Sequence, residues 1–142
     1  MSQMNLKALE AEKATEDQAV VVPISDNAGE QYVSATRGPV TMSVLGQHSA
    51  AVRAVALANT RRFQKLRQRA EDVPLDFWEE NARRECAAAL TEWGMEDEAG
   101  ALVPVTLDNV RAVCKLAPWI QRQITDAMNG HARFFSPGSE NS

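Results

Sequence analysis

The sequence predicts a mainly α-helical domain with a small N-terminal antiparallel β segment, an α+β arrangement of four or so short helices around one core. Three observations predict it. Runs of β-branched and alternating residues, bounded by turn formers, occupy the chain from Ala19 to Gly46. From Ser49 the apolar period changes from two to about 3.6. At 142 residues the chain is one domain's worth, large enough to bury roughly two-thirds of the surface its unfolded form exposes.

Residues 1–18 are polar apart from a Leu6/Leu9 pair and read as a flexible arm. The run Ala19-Val20-Val21-Val22-Pro23-Ile24 reads as a strand, and Ser25-Asp26-Asn27-Ala28-Gly29 as the turn after it. A second extended piece covers Glu30 to Ala35, and a third, Val40 to Leu45, follows Gly38-Pro39. Pro23 cannot donate to a ladder, so its strand is expected at an edge.

Ser49 is placed to cap a first helix through its hydroxyl, with Val52, Val55, Ala56, Phe63, Leu66 and Ala70 on the inner face. Pro74 ends it, because the residue before a proline disfavours the α conformation. Asp76 and Glu79 have capping-box spacing for a second helix, whose stripe runs Trp78, Ala82, Cys86, Ala89, Trp93 to a stop at Gly94. Met95 to Gly100 is an acidic turn, and Ala101 to Val105 is extended. Thr106 caps a third helix carrying Leu107, Val110, Val113, Cys114 and Leu116. Pro118 opens a fourth, as proline suits a first helical turn, lined by Ile120, Ile124, Ala127, Met128 and Phe135. The expected single domain is thus 19–135, with 19–46 the β segment and 47–135 the helical part. Residues 136–142, without apolar side chains, read as a disordered tail.

Lys and Arg number 15 against 19 Asp and Glu, a net charge of −4, which argues against affinity for nucleic acid or membrane drawn from bulk positive charge. Two cysteines, Cys86 and Cys114, stand far apart and in no metal-ligand spacing. No signal peptide or run of about 20 apolar residues occurs, so the chain is expected inside the cell that makes it, neither secreted nor membrane-spanning.

Chemistry is hard to assemble from these residues. His48 and His131 have no Cys, Asp or Glu at ligand spacing, and His131 falls on the apolar side of its helix, as a hydrogen-bonded, half-buried histidine would. Both cysteines lie in apolar stripes, where burial raises a thiol's pKa and disfavours the thiolate. There is no GxSxG elbow and no glycine-rich phosphate loop among the seven glycines. Glu96, Asp97 and Glu98 lack the alternating ligands of a calcium loop. The expectation is no enzyme, no metal and no cofactor.

One charge anomaly stands out: Arg61, Arg62, Lys65, Arg67 and Arg69, five cations in nine residues. Helix C-termini favour cations, and steps of about 100° per residue spread these five around the helix, so a solvated face is the first reading. An interaction surface for an acidic protein segment is the second. Nucleic acid is the least favoured target, since Phe63, the aromatic among the cations, is assigned to the inner face and none is left to stack bases.

Glu92-Trp93-Gly94, the acidic turn with Gly100, Val103-Pro104-Val105-Thr106, Asn109-Val110, and Pro118 opening an amphipathic helix follow in an order that resembles the tail assembly chaperones of long-tailed bacteriophages. The match covers about Leu90 to Ile124. The resemblance implies a non-catalytic helper in the host cytoplasm that binds the tape measure protein, keeps its apolar helices from aggregating and recruits tail tube protein. It names no binding residues and no oligomeric state. Trp119, Phe134 and Phe135 are candidate contacts beside the Arg61 to Arg69 cations. Two other readings are a virion structural component, such as a head–tail connector or minor tail protein, and a small regulatory or nucleic-acid-binding module.

Overall fold

The computed structural model describes residues 4–135; the expected disordered tail at 136–142 lies outside them, as do residues 1–3 of the arm. Four-residue strands form where β-branched residues alternate. Strand β1 is Val20–Pro23. Two residue pairs make a small hairpin, β2 (Val33–Ser34) with β3 (Gly38–Pro39). Strand β4, Thr41–Val44, buries Met42 and Val44 and turns Thr41 and Ser43 away from the core. That alternation is the period-two pattern of the sequence made physical.

Strand β4 is central, and its second neighbour corrects the sequence reading. Leu90–Trp93, expected as the last turn of a helix, is strand β5, antiparallel to β4 with Met42 opposite Trp93. The order in this sheet is β1-β4-β5. Its β structure is therefore not confined to the N-terminal segment, and the fold is not mainly α. Among the described residues it is mixed α/β, with five α-helices and two small sheets distributed along the chain. Physically, β4 has two edges: Val22 covers one at Met42, and the chain after Ala89 covers the other, a pairing between segments too distant for local periodicity to reveal.

Helix α1, Leu6–Glu16, is capped by Asn5 and has no buried residue. Its C-terminal end is docked by main-chain and carboxylate bonds. Gly46 N–H donates to Glu16 O at 2.9 Å, His48 N–H to Glu16 Oε2 at 3.2 Å and Ala50 N–H to Asp17 Oδ1 at 2.8 Å. A Cβ at Gly46 would stand 1.5 Å from Glu16 Oε2, so a larger residue there would displace that carboxylate.

Helix α2, Ala50–Gln68, starts at Ser49, whose hydroxyl accepts from Val52 N–H. It buries Val52 and Asn59 against helix α3, Phe77–Ala89. Ala70 lies beyond its end, with φ of 54°. Asp76 makes no capping bond to α3: Phe77 N–H instead donates to Pro74 O in a tight turn. Trp78, expected in the core stripe, is exposed, and Phe77 takes the inward place. Helices α4, Leu107–Leu116, and α5, Pro118–Asn129, begin as the sequence predicts, with Thr106 Oγ1 accepting from Asn109 N–H and Pro118 in the first turn. Val110, Cys114, Ala117, Ile120, Ile124, Ala127 and Met128 run along their inner faces and meet Met42, Val44, Cys86, Ala89 and Trp93 in one core. A 3₁₀ turn, His131–Phe135, closes the described chain.

Candidate functional site

Strands β1 and β5 flank β4 on its two sides, and each runs into an arm built on the same turn. In the first arm Asp26 N–H donates to Glu30 O (2.8 Å) and Gly29 N–H to Asp26 O (3.1 Å). Asp26 Oδ1 accepts from Ala28 N–H (2.9 Å) and Glu30 N–H (3.0 Å). In the second, Asp97 N–H donates to Ala101 O (2.9 Å) and Gly100 N–H to Asp97 O (3.0 Å), while Asp97 Oδ1 accepts from Ala99 N–H (2.9 Å) and Ala101 N–H (3.0 Å). Gly29 and Gly100 take φ of 89° and 81°, a left-handed conformation that glycine adopts without steric cost. Asp-x-Ala-Gly at 26–29 and again at 97–100 writes the same loop twice.

The arms stand over helices α4 and α5 and enclose a cleft of about 380 Å³. Ile24, Tyr32 and Val33 come from the first arm, Met95 from the second, and Val113 and Leu116 from α4. Val33 and Leu116 are 71% and 81% exposed, so the cleft opens on apolar side chains that the described residues do not cover. Arg37 ties the first arm to the second, its Nη1 donating to Glu96 Oε2 at 2.8 Å and to Gly100 O at 2.6 Å. Trp119 Nε1 donates to Tyr32 Oη at 3.3 Å and steadies the first arm from below.

Tyr32 and Glu96 are the cleft's titratable wall residues, and Glu96 is held by Arg37. The cysteines are elsewhere in the core: burial raises the Cys86 thiol and pushes Cys114 up to about 12. His131 is fully buried, with Nε2 donating to Gln18 O at 2.6 Å, a tie to the N-terminal segment. Among the described residues no three His, Cys, Asp or Glu side chains gather where they could hold a metal ion, and no helix is long and apolar enough to cross a membrane.

The candidate contact residues fall in three places. Trp119 is beside the cleft. Phe134 lines a separate open hollow of about 690 Å³ with Pro23, Asp126 and Arg133, and Phe135 packs on the His131 ring, centroids 5.1 Å apart. The cations lie on α2 and just past its end. Arg62 is part of the α2–α3 interface, donating to Asn59 Oδ1 and, at 2.7 Å, to Asn81 Oδ1, and burial lowers its pKa. Arg67 lies over the Phe63 ring at 5.9 Å. Arg61, Lys65 and Arg69 are exposed and take no part in the ion pairs of the described residues. Phe63 also packs on the exposed Trp78 at 5.2 Å, so α3 adds a second aromatic beside the cations.

Tyr32, Val33, Arg37, Met95, Glu96 and Leu116 escape a local reading of the sequence, because the cleft joins segments about 80 residues apart. The repeated Asp-x-Ala-Gly is the signal that points to it. No family model matches the chain, and no curated protein or solved structure matches it.

Proposed function

We propose that the chain is a non-catalytic phage tail assembly chaperone, which shields an apolar helical segment of the tape measure protein in the cleft between the two arms and promotes assembly of the tail tube. One observation carries this reading: the stretch that resembles such chaperones supplies much of the cleft wall, with Met95 and Glu96 in the second arm and Val113 and Leu116 on α4. A shielding role needs an uncovered apolar surface between fixed elements, which a helix can enter with residues spaced three and four apart. It needs no reactive group.

The test is coexpression with the tape measure protein of the same genome. The tape measure protein is expected in the soluble fraction and in complex with this chain, and Leu116→Asp and Val33→Asp are expected to abolish capture. Both positions are exposed, so neither change disturbs the core. A tape measure protein that stays insoluble and uncaptured beside the unaltered chain would sink the proposal. Mass spectrometry of finished particles separates a helper that departs from a structural component, which would be present in stoichiometric amount.

A further inference from the structure

We infer that the N-terminal helix α1 is an arm governed by a proton: protonation of the buried His131 fastens its C-terminal end to the body of the fold, and deprotonation loosens it. The inference does not depend on the client proposed above and concerns a different part of the molecule.

Helix α1 has no buried residue, so apolar packing does little to hold it. Among the described residues, the hydrogen bonds that tie it to the body gather at its last residue and the two that follow. Glu16 O accepts from Gly46 N–H, Glu16 Oε2 from His48 N–H and Asp17 Oδ1 from Ala50 N–H. The remaining tie is the imidazole of His131, 0% exposed, whose Nε2 stands 2.6 Å from Gln18 O. A main-chain carbonyl has no hydrogen to give, so Nε2 carries the proton and donates. In the neutral ring Nδ1 is then a bare lone pair, and it is buried without a partner among the described residues. Burial of such a group is unfavourable.

The space beside Nδ1 already holds a carboxylate. A Cβ built on Gly46 would overlap Glu16 Oε2 and come within 3.1 Å of His131 Nδ1, so the carboxylate and the imidazole border the same small space, which Gly46 leaves open. A bare lone pair beside an anion is repelled, whereas the Nδ1–H of an imidazolium is a donor and a positive charge next to Glu16. Phe135 packs on the ring, centroids 5.1 Å apart and planes tilted by 37°, and aromatic π density favours a cation at that range. Burial opposes the charge, and the neighbouring carboxylate offsets that cost. The docked form therefore binds the proton more tightly, and docking strengthens as pH falls and weakens as it rises. The other charged groups on the surrounding elements are placed elsewhere. On α1, Lys7, Glu10, Glu12 and Lys13 are exposed, and Asp17 is committed to Ala50 N–H. On α5, Arg122 lines a hollow with Glu79 and Lys115, while Asp126 and Arg133 line the open hollow beside β1. His48 is exposed.

The test uses the full chain with a dye on the thiol of a Glu10→Cys variant, an exposed position of α1; Cys86 and Cys114 are buried and leave the label to that site. Time-resolved fluorescence anisotropy separates a helix that tumbles with the body from one that swings by itself. Between about pH 5.5 and 8, where a histidine changes charge, the fast-rotating fraction is expected to rise with pH at least about twofold. A dye on Arg61→Cys, exposed on α2, reports the body and should not respond. His131→Gln keeps an N–H donor for Gln18 O and takes up no proton, so its profile is expected to be flat. Should that buried change cost the fold, Glu16→Gln carries the same test from a helix with no core residue: it keeps an oxygen for His48 N–H, removes the charge and flattens the profile. His48→Gln removes the other histidine of the chain and is expected to leave the profile as in the parent. A flat profile in the parent, a helix that loosens as pH falls, a folded His131→Gln or Glu16→Gln variant that responds as the parent does, or a response lost in His48→Gln would overturn the inference.

Discussion

Trp93 donates its indole N–H to the carbonyl oxygen of Val103 at 2.7 Å, closing the second arm back onto the strand it grows from. The ring is nearly fully buried in the core beneath the sheet, so one side chain links core packing to the geometry of the cleft. Trp93→Phe keeps most of the apolar volume and leaves that carbonyl unpaired, at a cost of about 1–3 kcal/mol. Trp93→Ala adds a cavity and costs about 3–5 kcal/mol. Urea denaturation measures both, and a Trp93→Phe variant as stable as the parent chain would contradict the role given to the hydrogen bond.

The repeated turn makes a paired prediction. A Cβ at Gly29 meets nothing within 4 Å, and one at Gly100 makes only an ordinary contact, 3.6 Å from Glu96 Oε2. Gly29→Ala and Gly100→Ala are therefore expected to cost the same, about 1–2 kcal/mol each, from the left-handed backbone alone. Unequal losses in thermal unfolding would show that the turns are not energetic equivalents.

Acid sensitivity has a named source at the α3–α4 contact. Arg111 reaches Glu80 with Nε at 2.8 and 3.1 Å and with Nη2 at 2.7 Å, and this bonding holds the Glu80 carboxyl below its ordinary range. A carboxyl whose folded pKa is depressed contributes stability that is present above its unfolded value, about 4.3, and lost as pH falls through the folded value. Glu80→Gln should lower stability at neutral pH and flatten its decline in acid. An unchanged decline, followed by circular dichroism across the acid range, would contradict this.

Glu85 works in the opposite sense. Burial alone raises its carboxyl, so its charged form burdens the folded state, and that burden grows as pH rises through the raised value. Glu85→Gln is expected to raise the melting temperature at neutral pH and to make little difference in acid. A lower melting temperature at neutral pH would show that the charge is compensated.

Burial of Cys86 and Cys114, with both thiols shifted upward, keeps them as thiols near neutrality. A disulfide reagent at mildly alkaline pH should titrate neither in the folded chain and both in denaturant. Rapid reaction of either in the native state would mean that the core opens there.

Local chemistry made part of this fold legible. Ser49, Thr106 and Pro118 mark helix starts because a hydroxyl beside free N–H groups, or a proline that needs no N–H, acts within one turn. The strand at Leu90–Trp93 was hidden because Trp93 continues a helical spacing from Ala89 by coincidence, while its true partner is Met42. Asn59 was hidden as well: it sits in the middle of the apolar face of α2, buried because Asn81 and Arg62 satisfy its amide. The cleft needed two distant turns to be seen as one motif, whereas periodicity reports only neighbours. Among the candidate contact residues from the sequence, Trp119 bonds to a wall residue of the cleft, Tyr32.

Both rims of the three-stranded sheet are short, four residues each. One contains Pro23, which has no N–H to offer, and the other is irregular where Ser43 and Val44 shift register. Such borders are poor templates for another chain's backbone. Neither border invites a second copy to continue the sheet, so concentrated solutions of the chain should not grow fibres by adding strand to strand.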